Sequence, residues 1–266
     1  MDALERIREA LEKAVSAIST FVPGAVQAEQ KPMGRGPITE ADRVANQVLR
    51  ETLLGEGEGW LSEESTDDLT RLEKQRVWVV DPLDGTLEFV AGIPEWCVSI
   101  GLVENGRAIA GGICNPATGE TFLGSLADGL TYNGKRVCAT ARDTLVGATV
   151  LASRSEMRRG EWEPFQKAPF TVRPTGSVAY KLALVAAGLA DATWTLNGKH
   201  EWDVAGGVAL VHAGGGFAEC LDESVPTFNN RSPRFAGLIA GGPLLRDSIR
   251  AFVAANGQPP APLREK

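Results

Sequence analysis

The feature that most constrains the fold of this chain is the segment Trp-Val-Val-Asp-Pro-Leu-Asp-Gly-Thr, which begins at Trp78. A short apolar, β-branched run predicts a strand over residues 76–80, and the strand leads directly into two carboxylates three residues apart. Pro82 has no N–H group and cannot continue a strand ladder, so we expect the strand to stop and the chain to turn there. Asp81 and Asp84 can then converge on one point.

The residues that follow this acidic pair predict a place for a phosphate group. Gly85 lets the backbone approach a ligand closely, and the first N–H groups of a helix that begins at Gly85 and Thr86 would face the phosphate. Carboxylates beside such N–H groups are what metal-bridged phosphate binding requires. The alternative is a surface turn in which an Asp caps the helix, but the strict order of strand, acidic turn and helix favours the functional interpretation.

Net charge and residue usage restrict the ligands and metals that the chain is expected to bind. The chain has 27 Lys and Arg against 34 Asp and Glu, a formal net charge of −7, so its charge attracts neither a nucleic acid polymer nor an anionic membrane. A bound divalent cation would attract a phosphate ester instead. With only His200 and His212, a His-rich zinc site is not expected, and any metal should be a hard cation bound by oxygen.

The distribution of charges and cysteines predicts a cytoplasmic protein. Charges are spread through most of the first 22 residues, whereas a secretory signal needs an uninterrupted apolar core. No apolar run approaches the roughly 18 residues that a membrane span needs. The four cysteines lie far apart without the spacing of paired ligands, which predicts reduced thiols.

In the first half of the chain, residues 1–145, the pattern predicts an α+β arrangement. Apolar periodicity and a polar N-cap predict helices over residues 3–22 and from Thr39 to about Gly55, separated by a Gly- and Pro-rich loop at residues 31–39. Short β-branched runs joined by turns predict an antiparallel meander at residues 98–103, 108–114 and 120–124. Turns are predicted at residues 105–106 and 132–135.

In the second half, residues 146–266, strand and helix patterns alternate, which predicts an α/β arrangement. Strands are predicted at residues 148–152 and 192–196, and helices at residues 177–187 and 204–212. The Pro-rich tail at residues 258–262 cannot join a helix. The two halves are expected to act as one functional unit.

Four motifs, in this order along the chain, resemble those of the inositol monophosphatase superfamily. The central one is Asp-Pro-Leu-Asp-Gly-Thr at residues 81–86. The others are a Thr-x-x-Asp helix start at residues 39–42, an acidic Leu-Ser-Glu-Glu-Ser loop at residues 61–65, and Glu-Trp-Asp-Val-Ala-Gly-Gly at residues 201–207. The resemblance covers most of the chain. It implies a metal-dependent phosphatase with a layered αβαβα sandwich, an active site between the two halves, and a homodimer.

The resemblance also implies a set of metal ligands. Glu63, Asp81 and the Leu83 carbonyl would bind one Mg²⁺ ion, and Glu63 would hold a weaker third ion through water. The ligands of the second ion would be Asp81, Asp84 and Asp203. Taken alone, Glu63 could lie in a solvated acidic loop and Asp203 could cap a helix at Val204.

A catalytic group is implied in the same way. The attacking water would be oriented by Thr86, whose hydroxyl is polarised by Asp42, with Glu63 as the third catalytic residue. Taken alone, Asp42 belongs to a routine helix start. The resemblance further implies that Li⁺ inhibits by occupying one Mg²⁺ position.

Three segments resemble the 3′(2′),5′-bisphosphate nucleotidase branch of the superfamily: residues 85–89, 152–155 and 176–181. They imply hydrolysis of the 3′-phosphate of adenosine 3′,5′-bisphosphate, with Arg154 and Lys181 as cations for the second phosphate. The implied substrate-binding residues are Gly85, Thr86, Ser153, Arg154, Gly176, Ser177, Lys181 and Asp203.

Other functions stay open at this point. Inositol monophosphatases carry a Glu seven residues before the Asp of the Trp-Asp pair, where this chain has Leu196, although residues 92–100 look equally like those enzymes. Inositol 1-phosphate is therefore the second candidate substrate, and fructose 1,6-bisphosphate the third. An inactive family member that acts as a binding module is a different class, which loss of a metal ligand or of Thr86 would favour; neither is lost.

Overall fold

The computed structural model describes residues 2–31, 36–165 and 167–256. Its helices are α1 (Ala3–Ile18), α2 (Glu40–Leu53), α3 (Thr86–Val90), α4 (Arg154–Arg158), α5 (Val178–Ala186), α6 (Glu201–Ala213) and α7 (Arg246–Asn256). Short 3₁₀ helices lie at Thr70–Glu73, Glu163–Phe165 and Pro243–Leu245. Within the described ranges, no helix has the length and apolar character to cross a membrane.

The strands of the first half are β1 (Ala28–Gln30), β2 (Pro37–Thr39), β3 (Gly59–Ser62), β4 (Arg76–Asp84), β5 (Cys97–Glu104), β6 (Arg107–Asn115), β7 (Glu120–Ser125), β8 (Gly129–Tyr132) and β9 (Lys135–Val137). Those of the second half are β10 (Thr149–Ser153), β11 (Thr171–Thr175), β12 (Ala192–Thr195), β13 (Lys199–His200), β14 (Phe217–Cys220), β15 (Arg234–Phe235) and β16 (Leu238–Gly241). Two small sheets pair β1 with β2 and β13 with β15.

Two larger sheets carry the fold. The first has the order β3-β4-β5-β6-β7-β8-β9 and is antiparallel except between β3 and β4. The second has the order β11-β10-β12-β16-β14, in which β10 runs parallel to both of its neighbours and β16 antiparallel to both of its own. The predicted antiparallel meander and the strand–helix alternation are both confirmed.

Side-chain alternation along β4 builds the layers. Trp78 and Val80 join the core with α1 and α2, whereas Val77 and Val79 join the core with α5 and α6. The second sheet has α5 and α6 on one face, and α7 adds Ile249 to the core on the other. The layers therefore follow the order α, β, α, β, α, which confirms the predicted sandwich.

Helix α6 lies very close to the first sheet because glycines face each other there. A Cβ atom added at Gly111 of β6 would lie 2.4 Å from the Gly206 carbonyl oxygen, and one added at Gly206 would lie 2.7 Å from the Ile100 carbonyl oxygen. Real Cβ atoms do not approach backbone so closely, so a side chain at either position would push α6 away. The close contact holds the first turn of α6, which carries Asp203, near the strands of the first half.

The prediction that the strand stops before Pro82 is wrong. Strand β4 continues to Asp84 through an irregularity, with Asp81 opposite Ser99 and Asp84 opposite Cys97. Pro82 lies inside this interruption, where the ladder needs no N–H group from it. The acidic pair therefore lies at the end of one bulged strand.

Other boundaries differ as well. Helix α1 ends at Ile18 rather than at residue 22, with Ser19 as its C-cap, and residues 37–39 form strand β2 rather than a loop. Helix α6 begins at Glu201, three residues earlier than predicted, because the Asp203 carboxylate accepts the His200 N–H group and caps the helix start. The tail at residues 258–262 lies outside the described residues.

Candidate active site

A cavity of about 330 Å³ lies beside the end of β4, lined by residues from both halves of the chain. Of the residues predicted from the sequence, Asp42 and Arg154 do not line it. The predicted residues that do are Glu63, Asp81, Leu83, Asp84, Gly85, Thr86, Ser153, Gly176, Ser177, Lys181 and Asp203.

The four predicted acidic ligands interact electrostatically at this cavity. Burial raises the pKa of Asp81 well above its usual range, and the charges of Glu63, Asp84 and Asp203 raise it further. Burial, followed by the charges of Asp84 and Glu63, raises the pKa of Asp203 to about 7. Carboxylates that repel one another in a buried place are stabilised by a shared cation, and their oxygens are the ligands that hard divalent ions prefer. The donor set therefore fits a divalent metal ion.

Two of these carboxylates accept hydrogen bonds from N–H and hydroxyl groups of the protein. In the part of the chain that the structure describes, no three His, Cys, Asp or Glu side chains are grouped so that they could hold an ion as they stand. Asp84 Oδ2 accepts hydrogen bonds from the Ser177 hydroxyl and the Ala179 N–H group, both at 2.6 Å, and Asp81 Oδ1 accepts one from the Leu83 N–H group at 3.0 Å. These hydrogen bonds involve one oxygen of each carboxylate, and the other oxygen can bind an ion.

Lys31 bridges two glutamates of the acidic loop. Its Nζ lies 2.6 Å from Glu63 Oε1 and 2.5 Å from Glu64 Oε1. Glu64 is largely buried, and burial raises its pKa to about 7. The loop is therefore not simply solvated. Sequence analysis missed Lys31, since a lysine in a Gly- and Pro-rich segment gives no signal until the fold brings it to the acidic loop.

Asp42 and Thr86 meet as the resemblance implies. Thr86 Oγ1 lies 3.1 Å from Asp42 Oδ1 and 3.1 Å from the Leu83 carbonyl oxygen, and it can donate to either. Asp42 Oδ2 accepts hydrogen bonds from the N–H group and the hydroxyl of Thr39, at 2.8 and 2.6 Å. Burial raises the pKa of Asp42, although these hydrogen bonds favour its ionised form. A Thr86 hydroxyl that donates to Asp42 keeps its oxygen available to accept from water.

Ser177 donates a hydrogen bond to Asp84 and is also the N-cap of α5. Its backbone has φ 53°, a left-handed conformation that is strained for a residue other than Gly. Its oxygen accepts from the Tyr180 N–H group at 3.0 Å, and its hydroxyl proton is donated to Asp84. The same proton cannot also be donated to a substrate phosphate, so Ser177 orients Asp84 in this arrangement.

Arg154 is held away from the cavity by Glu95. The guanidinium contacts the carboxylate at 2.5 and 2.7 Å, and the same carboxylate accepts the Gly176 N–H group at 2.6 Å. Arg154 reaches a substrate only if this pair opens. Sequence analysis gave Glu95 no role, because it lies 59 residues from Arg154 and nothing in residues 92–100 indicates that the two side chains pair.

Two lysines of the second half line the cavity, Lys181 and Lys199. Lys181 is 2% exposed, and its Nζ donates to the carbonyl oxygens of Ser177 and Thr175, at 3.0 and 3.5 Å. Burial, followed by the charge of Lys199, lowers the pKa of Lys181 to about 8. Sequence analysis missed Lys199, which lies in the two-residue strand β13 and has no motif of its own.

A buried polar network joins the segment after the acidic loop to the start of α6. Arg71 is 1% exposed and donates to Asn229 Oδ1 at 2.8 Å and to the Asn230 carbonyl oxygen at 2.9 Å. Glu201, fully buried, accepts the backbone N–H groups of the same two asparagines at 2.8 and 2.9 Å. Glu201 lies two residues before Asp203, so the network fixes the helix start that carries this predicted ligand.

Phosphate esters are anions, and this cavity offers them carboxylates suited to a bridging cation together with the buried ammonium group of Lys181. Such a cavity in a layered αβαβα sandwich belongs to the class of metal-dependent phosphomonoesterases. Comparison with known proteins agrees, since a sequence profile described as "Inositol monophosphatase family" matches residues 3–250. The chain belongs to the inositol monophosphatase family, whose members are metal-dependent phosphatases.

Individual relatives support the same family. The inositol-1-monophosphatase of Mesorhizobium japonicum is 33% identical over 227 residues, which cover 81% of this chain and 83% of that protein. The extragenic suppressor protein suhB from Bartonella henselae has a TM-score of 0.80 at 27% identity, over 94% of this chain and 97% of the other. CysQ from Bacteroides thetaiotaomicron, a bacterial member of the family, has a TM-score of 0.76 at 25% identity, over 90% of this chain and 97% of the other. The predicted family and fold are confirmed.

Proposed function

We propose that the protein hydrolyses the 3′-phosphate of adenosine 3′,5′-bisphosphate. The observation that carries this proposal is that one cavity contains both the carboxylate cluster and the buried ammonium group of Lys181. A substrate with a single phosphate needs only the metal cluster. Among the described residues Lys181 has no ion-pair partner, and a buried lysine in this situation is costly unless an anion compensates its lost hydration, which a second phosphate would do.

We assign Mg²⁺ to the carboxylate cluster. Glu63, Asp81 and the Leu83 carbonyl would hold one ion, with a third, weaker ion at Glu63. The second ion would be held by Asp81, Asp84 and Asp203. When bound, Mg²⁺ polarises phosphoryl oxygens and lowers the pKa of water. Li⁺ is expected to inhibit by competing for one of these positions.

The protein's own part in proton transfer is assigned to Thr86 and Asp42, with Glu63 beside them. The Thr86 hydroxyl donates to Asp42, so its oxygen can accept from the attacking water and hold it in line with the phosphorus atom. Gly85 has φ 99°, and a Cβ atom there would lie 2.9 Å from the Glu95 carbonyl oxygen. Glycine is therefore required where the backbone of residues 85 and 86 would face the phosphate.

The rest of the substrate is assigned to residues of the second half. Lys181 would bind the second phosphate, and Ser153, Gly176 and Ser177 line the cavity around it. Arg154 would join them only by leaving Glu95. Asp203 would contact the substrate next to the metal.

Inositol 1-phosphate is the second candidate substrate, because a relative at 33% identity is named an inositol-1-monophosphatase. The residue at position 196 argues against inositol 1-phosphate as the substrate. Leu196 packs against the apolar core of the second sheet and does not line the cavity, so this position offers no acceptor for a sugar hydroxyl.

The test is phosphate release with Mg²⁺, with and without Li⁺, from adenosine 3′,5′-bisphosphate, inositol 1-phosphate and fructose 1,6-bisphosphate. The proposal predicts that the adenosine compound has the highest kcat/KM by about tenfold, equivalent to about 1.4 kcal/mol. A higher value for inositol 1-phosphate or for the fructose compound would assign that activity instead. Zero turnover of all three would favour a binding module.

We further propose that residues 1–145 and 146–266 act as one functional unit, since Asp81 and Asp203 line the same cavity. We also propose a cytoplasmic homodimer that acts on small metabolites and binds neither nucleic acid nor membrane. Light scattering of the purified protein tests the dimer, and a monomer at micromolar concentration would contradict it.

A further inference from the structure

Lys181 is a buried ammonium group without an ion-pair partner among the described residues. Within the described part of the chain, its Nζ donates hydrogen bonds only to the carbonyl oxygens of Ser177 and Thr175. Carbonyl oxygens replace part of the lost hydration, but they do not neutralise the charge. The charge at Lys181 Nζ therefore favours the binding of an anion.

Lys199 brings a second positive charge to the same cavity. Its side chain is 15% exposed, and its Nζ lies 3.7 Å from Glu156 Oε1. That oxygen also accepts the Thr195 hydroxyl, and Glu156 Oε2 accepts the Trp162 indole N–H group at 3.1 Å. This contact is an ion pair, but 3.7 Å is too long for a hydrogen bond and Glu156 has these other partners, so Glu156 leaves the Lys199 donors free to turn towards a ligand.

The two lysines repel each other. After burial, the charge of Lys199 is the strongest influence that lowers the pKa of Lys181, while the nearby carboxylates of Asp84, Glu156 and Glu88 raise it. Further relief of this repulsion requires an anion that contacts both ammonium groups. A phosphate group satisfies this requirement with several acceptor oxygens.

Two hydroxyl groups line the cavity with these lysines. Ser153 Oγ and Ser155 Oγ lie 2.9 Å apart, and either can be the donor. One hydroxyl proton is used between them, and the other is left to point at a ligand.

We propose that Lys199 and Lys181, with the hydroxyls of Ser153 and Ser155, form the subsite for the second phosphate of the substrate. Lys199, rather than Arg154, is its second cation, because Glu95 already holds the Arg154 charge with two contacts. This inference rests on the proposed function and adds to it a residue that determines specificity.

The experiment compares adenosine 3′,5′-bisphosphate with adenosine 3′-monophosphate, which differ only in the 5′-phosphate. The wild-type enzyme should prefer the bisphosphate, and Lys199→Met should reduce that preference roughly ten- to a hundredfold through KM, as expected for a lost charged hydrogen bond. Lys199→Arg, which keeps the charge, should restore most of it. Lys135→Met removes an exposed lysine of β9 that does not line the cavity and serves as the matched control. Thermal melting checks that each variant folds.

Each outcome decides between specific explanations. An equal loss with both substrates would overturn the subsite and place Lys199 at the reacting phosphate. Selectivity lost in Arg154→Met but kept in Lys199→Met would make Arg154 the cation. If the wild-type enzyme hydrolyses neither adenosine compound, the nucleotidase function fails. The preference for bisphosphate over monophosphate is then measured with fructose 1,6-bisphosphate and fructose 1-phosphate. If Lys199→Met leaves that preference unchanged, the subsite itself is overturned.

Discussion

Replacing Thr86 by Val tests how this chain orients its nucleophile. The substitution keeps the shape of the side chain but removes the hydroxyl that lies 3.1 Å from Asp42 Oδ1. Water would then lose the acceptor that holds it in line, so kcat should fall roughly 10²–10⁴-fold, the range of a lost general-base contribution. KM and Mg²⁺ affinity should change little, since Thr86 supplies no metal ligand.

The same substitution has a calculable effect on stability. Asp42 Oδ1 loses its hydroxyl donor in a buried place, which costs about 1–3 kcal/mol. For a chain of this size, each kcal/mol lowers Tm by about 2–4 °C. Thr86→Ser keeps the hydroxyl and should retain most of both kcat and Tm.

Thr193→Val provides the matched control for Thr86→Val. Thr193 lies in β12, is 4% exposed and does not line the cavity. Its hydroxyl donates to the Leu151 carbonyl oxygen at 2.9 Å. This variant should lose stability without losing kcat. Phosphate-release kinetics at saturating Mg²⁺ and thermal melting supply the two measurements. If Thr86→Val kept kcat within about threefold, a factor worth less than 1 kcal/mol in the barrier, the orientation of water by Thr86 would be refuted.

Three further predictions concern the groups around the cavity. Arg71→Met removes a buried guanidinium that pairs with Asp67 and donates to half-buried groups of Asn229 and Asn230, so it should lower the free energy of unfolding by about 1.5–3 kcal/mol, measured by urea denaturation; an unchanged midpoint would contradict the network. Since burial lowers the pKa of Lys181 to about 8, its ammonium form is lost as pH rises through that value. The kcat/KM preference for bisphosphate over monophosphate should therefore fall across pH 8, and the fall should be absent in Lys181→Met. Gly176→Ala puts a Cβ atom 2.5 Å from Glu88 Cγ and 2.7 Å from the Glu95 carbonyl oxygen, so Tm should fall by a few degrees, corresponding to about 1–3 kcal/mol, whereas an unchanged Tm would show that the loop yields without cost.

The parts of the site that could be predicted from the sequence are those determined by local chemistry. The segment from Asp81 to Thr86 combines an apolar strand, two carboxylates, a proline and a glycine, each of which restricts the backbone where it stands. Thr39 and Asp42 likewise form a helix start within four residues, and the structure has this capping arrangement. Local rules nevertheless failed at Pro82, because only the pairing of β4 with β5 shows where the ladder tolerates a missing N–H group.

The contacts that could not be predicted join residues far apart in the chain. Lys31 reaches Glu63 across 32 residues, and Arg154 reaches Glu95 across 59. A single lysine or arginine has the same local signature whether it faces water, a carboxylate or a substrate. Lys199 became a candidate only when the fold placed it in the same cavity as Lys181.

The central claim is that acidic side chains from distant segments share a cluster of divalent ions beside the end of β4. Calorimetric titration of Mg²⁺ into the wild-type protein and into Asp203→Asn tests it most directly, because an Asn oxygen can still accept the His200 N–H group and preserve the helix start. Asp247→Asn, at an exposed carboxylate of α7, is the control. The account predicts that Asp203→Asn weakens Mg²⁺ binding by about tenfold or more while Asp247→Asn leaves it unchanged. Equal Mg²⁺ affinity in the wild-type protein and in Asp203→Asn would contradict it.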